Sequence, residues 1–587
     1  VTAAGASAPC VLDRLLRTGR SSRRDSALDV AFLAALALLL MGTGLGLRNP
    51  WAPDEPRFVL VAVDMLRSGD WLIPRVGGDL YADKPPFFFW LLASAMQLAG
   101  SMRWGFLLPS LLAGVGTTLL AYDLLRRARG REVALAGAFL LLLTFQFTWQ
   151  ARQAQIDAVL CFLVSLGLYG LLRHTLLGPA PRWFIAGWFA AGLGVITKGV
   201  GFLPLLVLLP LAILVRRGWP AAAGRPGALS LAGAGAMLLA IGLWFVPMLF
   251  ATSAGGDLLA YRNEILFQQT VTRYADSWHH HEPPWYYVVK VIPVFWLPLI
   301  ALLPWLVPRW TRALRARDTW VAVLLAWIVL VLVFFSASSG KRTVYVLPAV
   351  PALAMAAAPW LPELLRARGP RRLAFGLATV LVLAAAAAAV YLAVEPARAA
   401  DIEQQYGLRP VAPLATAALA AAVPLLLFRV RDGWLAYGGV FAAILVTVGL
   451  MINPGIDEAR SARTFLARVE QASAGFAELG LVDAREQYLL QLRRPTVNFG
   501  HARWREWQQE AADAAVWLAA GPDRALLVPA RVRDECFADA RAVELGRANR
   551  EDWFLVSGSA VASCIARGDP SRATWYFPPQ LLGNTGA

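Results

Sequence analysis

Pro85-Pro86-Phe87-Phe88-Phe89-Trp90-Leu91-Leu92-Ala93-Ser94-Ala95-Met96-Gln97-Leu98-Ala99 is an apolar run that could be taken for a membrane span, and whether it crosses decides the topology of the chain. Apolar runs of about 16 to 24 residues, read as spans, number thirteen without it. The N-terminal tail carries Arg14, Arg17, Arg20, Arg23 and Arg24 and is expected inside. The alternate loops then placed inside are Arg126-Arg127-Ala128-Arg129-Gly130-Arg131, residues 173–182, 216–225, 309–317 and 366–372, and Arg429-Val430-Arg431. All are short and arginine-rich. Counting residues 85–99 as a span would invert every later loop and put those arginines outside. Its Phe-Phe-Phe-Trp cluster instead fits a helix at the membrane interface, where aromatics prefer to sit.

Composition supports a membrane chain. Of 587 residues, 58% are hydrophobic and only 16% charged, with a mean hydropathy of +0.53, far from the balance of a soluble domain. The arginine-rich start before the apolar residues 28–47 resembles a signal peptide, but the run is long enough to span and reads as an uncleaved first helix. The net charge of +16 follows from inside loops rich in Arg and Lys; anionic lipid substrates would be a second reason for it. No soluble basic domain exists to hold nucleic acid, so none is expected as a partner. Composition changes sharply after Asn453. Residues 1–452 read as a transmembrane domain of about thirteen helices. Residues 453–587 alternate helical stretches such as 503–518 with short apolar runs such as Ala525-Leu526-Leu527-Val528-Pro529, a small soluble α/β domain. Thirteen crossings place it outside. Cys10, Cys161, Cys536 and Cys564 show no metal or redox spacing, and Cys536 and Cys564, together in an oxidising compartment, are expected to pair.

The chemistry-bearing residues gather on the outer side. Asn49-Pro50-Trp51-Ala52-Pro53-Asp54-Glu55-Pro56-Arg57 follows the first span. Pro56 suits the first position of a helix, which is expected to lie on the membrane surface. Acids at a helix start are commonly caps; two acids between Pro53 and Pro56 are more than a cap needs. Asp157 opens the fourth span in Gln153-Ala154-Gln155-Ile156-Asp157, where stabilisation by the helix dipole and a functional role are both open. Lys84, in Tyr81-Ala82-Asp83-Lys84-Pro85-Pro86, either snorkels to headgroups or sets a point charge on a phosphate. Lys198 and Gly340-Lys341-Arg342-Thr343-Val344-Tyr345 share this side, as does the polar loop 261–284 with Arg273. Its His279-His280-His281 invites a metal reading in which Asp83, His279 and His280 are candidate ligands. Consecutive histidines do not easily share one ion, and no HxxxH or HExxH spacing occurs.

Two acids in the first external loop, a Tyr-x-Asp-Lys-Pro-Pro segment and an Asp opening the fourth span resemble the GT-C class of membrane glycosyltransferases. Within it the chain is similar to the polyprenyl-phosphate-sugar transferases related to protein O-mannosyltransferases, most of all the bacterial 4-amino-4-deoxy-L-arabinose transferases that decorate lipid A. The resemblance implies a multi-pass enzyme of the bacterial inner membrane with its active site and C-terminal domain in the periplasm. It implies an undecaprenyl-phosphate-linked aminosugar donor and a lipid A phosphate acceptor, a modification tied to resistance against cationic peptides. Asp54, Asp157 and Glu55 stand as candidate catalytic residues; Lys84, Tyr81, Lys198, Arg273, Lys341, Arg342 and Tyr345 as candidate substrate ligands. No cofactor is required by this reading, and a divalent metal remains an option at the Asp83 cluster. The segment before the interfacial helix reads Asp83-Lys84 where some relatives have Glu-Lys.

The chemistry is intelligible without the resemblance. Breaking a sugar–phosphate bond leaves a polyprenyl phosphate that needs cations and a sugar carbon of oxocarbenium character that a carboxylate stabilises. A phosphate acceptor, ionised with a second pKa of about 6, needs no strong base; a hydroxyl acceptor, as in protein O-mannosylation, would need Asp54 as one. A lipid flippase or transporter is the alternative from another class. Against it, the ionisable residues cluster on one side instead of the midplane, and no repeat of halves is visible.

Overall fold

The computed structural model describes residues 23–220, 227–266, 281–500 and 506–578. Among them, seven helices are long and apolar enough to cross a membrane by length and composition: Asp25–Gly42, Met102–Arg129, Ile156–Leu176, Leu229–Ala251, Thr319–Ala337, Arg368–Val394 and Val430–Ala472. Counting each of two sharply bent pairs as one span, Tyr287–Phe295 with Ile300–Arg315 and Pro396–Tyr406 with Val411–Leu427, gives nine. Leu231, Leu238, Leu239 and Phe250 stand exposed on the Leu229–Ala251 helix, an arrangement that an apolar solvent makes cheap and water does not. The chain is built as a multi-pass membrane protein.

Phe87–Ala99 is a helix of 13 residues. At about 1.5 Å per residue it measures about 20 Å, short of an apolar layer about 30 Å thick. Gly100 ends it in the left-handed region at φ 61°. Phe88 and Phe89 are buried on Phe58, ring centroids 5.8 and 5.9 Å away.

The partner in that packing departs from the sequence reading. Residues after Pro56 do form a helix, Glu55–Ser68, but it does not lie open on a surface: every residue from Phe58 to Met65 is buried, Asp64 included. Asp64 accepts the Gly78 N–H at 3.1 Å, from the tight hairpin of β1 (Arg75–Val76) and β2 (Asp79–Leu80). The other side of the helix is covered by a sheet that begins some four hundred residues later. Phe58, Leu60 and Val61 share one apolar cluster with Leu479, Leu481, Tyr488, Leu527, Trp553 and Tyr576.

That sheet has six strands, β3 (Glu478–Leu481), β4 (Thr496–Asn498), β5 (Arg524–Pro529), β6 (Arg541–Ala548), β7 (Glu551–Ser557) and β8 (Thr574–Tyr576), in the order β6-β7-β5-β3-β4-β8. β5, β3 and β4 are parallel, and the remaining pairings antiparallel. Three parallel strands buried on both faces read as short apolar runs, as in Ala525-Leu526-Leu527-Val528. Cys536 and Cys564 are bonded, with Cα atoms 5.7 Å apart, and Cys161 is a free, buried thiol. The turn after the first long helix meets the last long helix where side chains are absent. A Cβ on Gly44 would come within 2.6 Å of the Gly449 carbonyl, and Gly44 itself sits at φ +92°.

Candidate active site

Asp54 and Glu55 sit side by side in sequence and have opposite surroundings. Neither caps the helix in the usual way: Asp54, at the N-cap position, has α-region backbone angles and no side-chain cap hydrogen bond. Its carboxylate instead accepts Arg57 Nη2 at 2.7 Å and Arg342 Nη2 at 2.5 Å. Burial alone would raise this carboxyl. The Arg342 guanidinium, with Arg57 and Lys198 beside it, outweighs burial and holds it below the usual carboxylate range. The two arginines keep about a third of their side chains exposed, so the cluster has an anionic centre and open cationic edges.

Glu55 is closed. Arg48 lays Nη1 on Oε2 at 2.5 Å and Nη2 on Oε1 at 2.7 Å. The Trp51 N–H donates to Oε2 and the Ala154 N–H to Oε1, each at 2.9 Å. Four donors occupy the four acceptor sites of a carboxylate, so this oxygen pair has nothing left for a substrate. The sequence reading grouped Glu55 with the catalytic acids; the geometry makes it a clasp between the 48–55 loop and the loop ahead of Asp157. The clasp extends to the start of the C-terminal region. Asp457 accepts the Asn49 N–H at 2.7 Å, Asn49 Nδ2 at 2.6 Å and Trp51 Nε1 at 2.9 Å.

Held by that clasp, Asp157 stands at the start of the Ile156–Leu176 helix with Lys198 Nζ 2.5 Å from its Oδ1. Lys198 also lies 4.4 Å over the Tyr345 ring. Asp157 and Tyr345 both act on Arg342, and Lys198 acts on Asp54. Asp54, Asp157, Lys198, Arg342 and Tyr345, far apart in sequence, thus form one electrostatic cluster. Arg57 belongs to it too. Its place three residues after Asp54 at a helix start is a spacing that pairs charges.

The remaining candidates divide. Tyr81 is buried against Phe89, ring centroids 5.8 Å apart, and acts on Arg57. Lys84 Nζ donates to the Asp83 carbonyl at 2.7 Å. Lys341 is turned to structure: it is buried, with Nζ on the Glu282 carbonyl at 2.8 Å and the Ser338 carbonyl at 2.5 Å. Arg342, its neighbour, is the one that enters the cluster. Asp83 has Glu264 nearby, whose carboxyl is raised by burial and then by the Asp83 charge. Among the described residues no group of three His, Cys, Asp or Glu could hold a metal ion; Arg273, His279 and His280 lie outside the described residues.

Residues 83–245 match the family described as dolichyl-phosphate-mannose-protein mannosyltransferase. The chain is 32% identical over 355 residues to an undecaprenyl phosphate-alpha-4-amino-4-deoxy-L-arabinose arabinosyl transferase of Pseudomonas fluorescens, covering 58% of this chain and 62% of that one. It is 32% identical over 375 residues to the transferase of the same description in Pseudomonas aeruginosa, covering 60% and 65%. The matched part is thus under two thirds of the length of these relatives. The crystal structure of ArnT from Cupriavidus metallidurans bound to undecaprenyl phosphate superposes with a TM-score of 0.70 at 21% identity, covering 94% of this chain and 100% of that one. The chain therefore has the GT-C fold of that ArnT structure, and over residues 83–245 it matches the family described as dolichyl-phosphate-mannose-protein mannosyltransferase.

Proposed function

We propose that this chain is a membrane glycosyltransferase that moves 4-amino-4-deoxy-L-arabinose from undecaprenyl phosphate to a phosphate of lipid A. The observation that carries the reading is the Asp54 carboxylate held between Arg57 and Arg342, with Lys198 close behind. The anomeric carbon–oxygen bond of the donor breaks, and undecaprenyl phosphate leaves with the electron pair. Arg57, Arg342 and Lys198 neutralise that leaving charge. Asp54 faces the sugar carbon as it becomes cationic, and an acceptor phosphate oxygen closes the new bond. These cations are the chain's own, so no divalent metal is required.

The family match over residues 83–245 favours a second reading, transfer to a protein hydroxyl. A hydroxyl must lose a proton, and a carboxylate below its ordinary pKa and already committed to two guanidiniums is a weak base for it. A phosphate acceptor arrives ionised, which supports lipid A. Release of undecaprenyl phosphate from labelled donor, with lipid A or a Ser/Thr peptide as acceptor, tests the choice. Release driven by the peptide and not by lipid A would overturn it.

The same reading assigns thirteen crossings. Arg131–Gln150, broken at Thr144, together with Pro181–Lys198, 343–366 and the longer apolar stretch 200–217 that contains the Leu203–Arg216 helix, supplement the nine candidate spans in this reading. An odd number carries the sheet to the side opposite the arginine-rich N-terminus, the periplasm of an inner-membrane enzyme.

A further inference from the structure

The six-stranded sheet carries a constellation that the transfer reaction leaves unused. β3 continues through the Glu486–Gln491 helix to β4 on one side, whereas β5 continues through the Ala530–Cys536 helix towards β6 and β7 on the other. The carboxyl ends of β3 and β5 therefore feed loops that diverge, and open α/β sheets take ligands in the crevice this leaves. Charged side chains fill its walls. Asp483, just after β3, is buried in the left-handed region at φ 51°, and its N–H donates to buried Glu510 at 2.9 Å. Its carboxylate pairs directly with Arg531, in the first turn of the Ala530–Cys536 helix, and lies 4.0 Å from Arg485. Arg531 is further fixed 4.9 Å over the Trp507 ring and 3.6 Å from Glu551.

These contacts orient both guanidiniums without consuming them: Arg485 remains 37% exposed and Arg531 34%. A second observation points to a ligand. The Tyr488 hydroxyl is fully buried and has no hydrogen-bond partner among the described residues, and the charges acting on it are those of Glu551, Arg485 and Asp483. A buried hydroxyl without a partner is uncommon.

The crevice opens towards the transfer site. Tyr576 of β8 lies opposite Thr496, the first residue of β4, and the Phe577 carbonyl beside it accepts Arg67 at 3.0 Å, near the end of the Glu55–Ser68 helix. The amino ends of the parallel strands thus lie by Arg67, and their carboxyl ends lie towards the start of that helix, where Arg57 stands. Glu486, next after Arg485, is among the charges acting on Arg57.

We infer that this crevice holds the phosphate-bearing headgroup of the acceptor glycolipid, with Arg485 and Arg531 on the phosphate and Tyr488 donating to it. Guanidinium forks match phosphate oxygens in pairs, and a headgroup seated here would face Asp54 across Arg57. The inference rests on the transferase reading for the word acceptor, but its binding test does not.

The test uses the full chain in lipid nanodiscs, with a bisphosphorylated lipid A-type glycolipid, its dephosphorylated form, inorganic phosphate and undecaprenyl phosphate as probes. Arg485→Gln is the variant, because Arg485 is exposed and paired only at 4.0 Å; Arg485→Lys keeps the charge without the fork. The expected result is a loss of roughly tenfold in affinity for the phosphorylated glycolipid in Arg485→Gln, partial rescue in Arg485→Lys, and unchanged undecaprenyl phosphate binding. The wild type should prefer the phosphorylated glycolipid to its dephosphorylated form, and the variant should not. Unchanged glycolipid affinity, or an equal loss for undecaprenyl phosphate, overturns the crevice. Inorganic phosphate binding as tightly as the glycolipid overturns the headgroup. Arg485-dependent glycolipid binding in a wild type that never cleaves donor would support the crevice and sink the transferase reading instead.

Discussion

Arg48 and Glu55 form a two-point ion pair inside the protein, two guanidinium nitrogens on both carboxylate oxygens at 2.5 and 2.7 Å, and the pair ties the loop after the first long helix to the loop that presents Asp157. Removing one partner of such a pair strands the other charge in a buried place, at a cost of about 3–5 kcal/mol. Glu55→Gln is therefore expected to lower the thermal midpoint in detergent far more than Asp54→Asn. An equal or smaller shift for Glu55→Gln would return Glu55 to the list of reacting groups.

Asp54→Asn keeps the shape of the side chain and removes its charge. Sugar transfer should fall by about 100-fold or more, with normal expression and retained donor binding. Transfer surviving in Asp54→Asn while Glu55→Gln abolishes it in a folded protein would mean that the other acid does the chemistry.

Binding and turnover should separate at Lys84 and Asp157. Lys84→Ala should weaken donor binding through a lost phosphate contact, whereas Asp157→Asn should chiefly lower turnover. Donor affinity equal to wild type in Lys84→Ala would leave headgroup snorkelling as the better account of that lysine.

The pH profile distinguishes the acceptors. Because its two arginines lower Asp54 below the ordinary value, it stays anionic as pH falls, and its contribution is lost only once pH drops below the ordinary aspartate range. With a phosphate acceptor, the acid limb of the rate should instead lie near pH 6, the acceptor's own second ionisation, at about 6. A limb that shifts in Asp54 variants and ignores the acceptor would contradict this.

Phosphatase and fluorescent-protein fusions at Ala587 check the topology. An active phosphatase and a dark fluorophore are expected for a C-terminal region outside the cytoplasm. The reverse pattern would show that one crossing has been miscounted.

Properties that depend on local pattern were legible in the sequence. Apolar runs long enough to cross, a short aromatic run that is not, the strand at 525–529 and the α/β character of the C-terminal region all follow from residues that are neighbours in the chain. Of the ten catalytic and substrate-binding candidates named from the sequence, Asp54, Asp157, Lys198, Arg342 and Tyr345 lie in one cluster; local pattern did not set them apart from Glu55, Lys84, Tyr81 and Lys341, and Arg273 lies outside the described residues. A shared domain outside the cytoplasm made pairing of Cys536 with Cys564 an expectation, and the 5.7 Å between their Cα atoms is what the fold supplied.

What the tertiary structure decided is how differently two adjacent acids are held. Asp54 and Glu55 differ by one methylene and one position, and their roles part because Arg48 and the Ala154 N–H reach Glu55 whereas Arg57 and Arg342 reach Asp54. The Glu55–Ser68 helix shows the same limit. Its pattern of three charges among apolar residues suits a membrane surface as well as a core, and only the arrival of β3, β5 and the Tyr488 ring on its other side buries it. Periodicity records which face of a helix avoids water; it carries no record of whether lipid or a sheet hundreds of residues away supplies the cover, because both satisfy apolar side chains by the same physics.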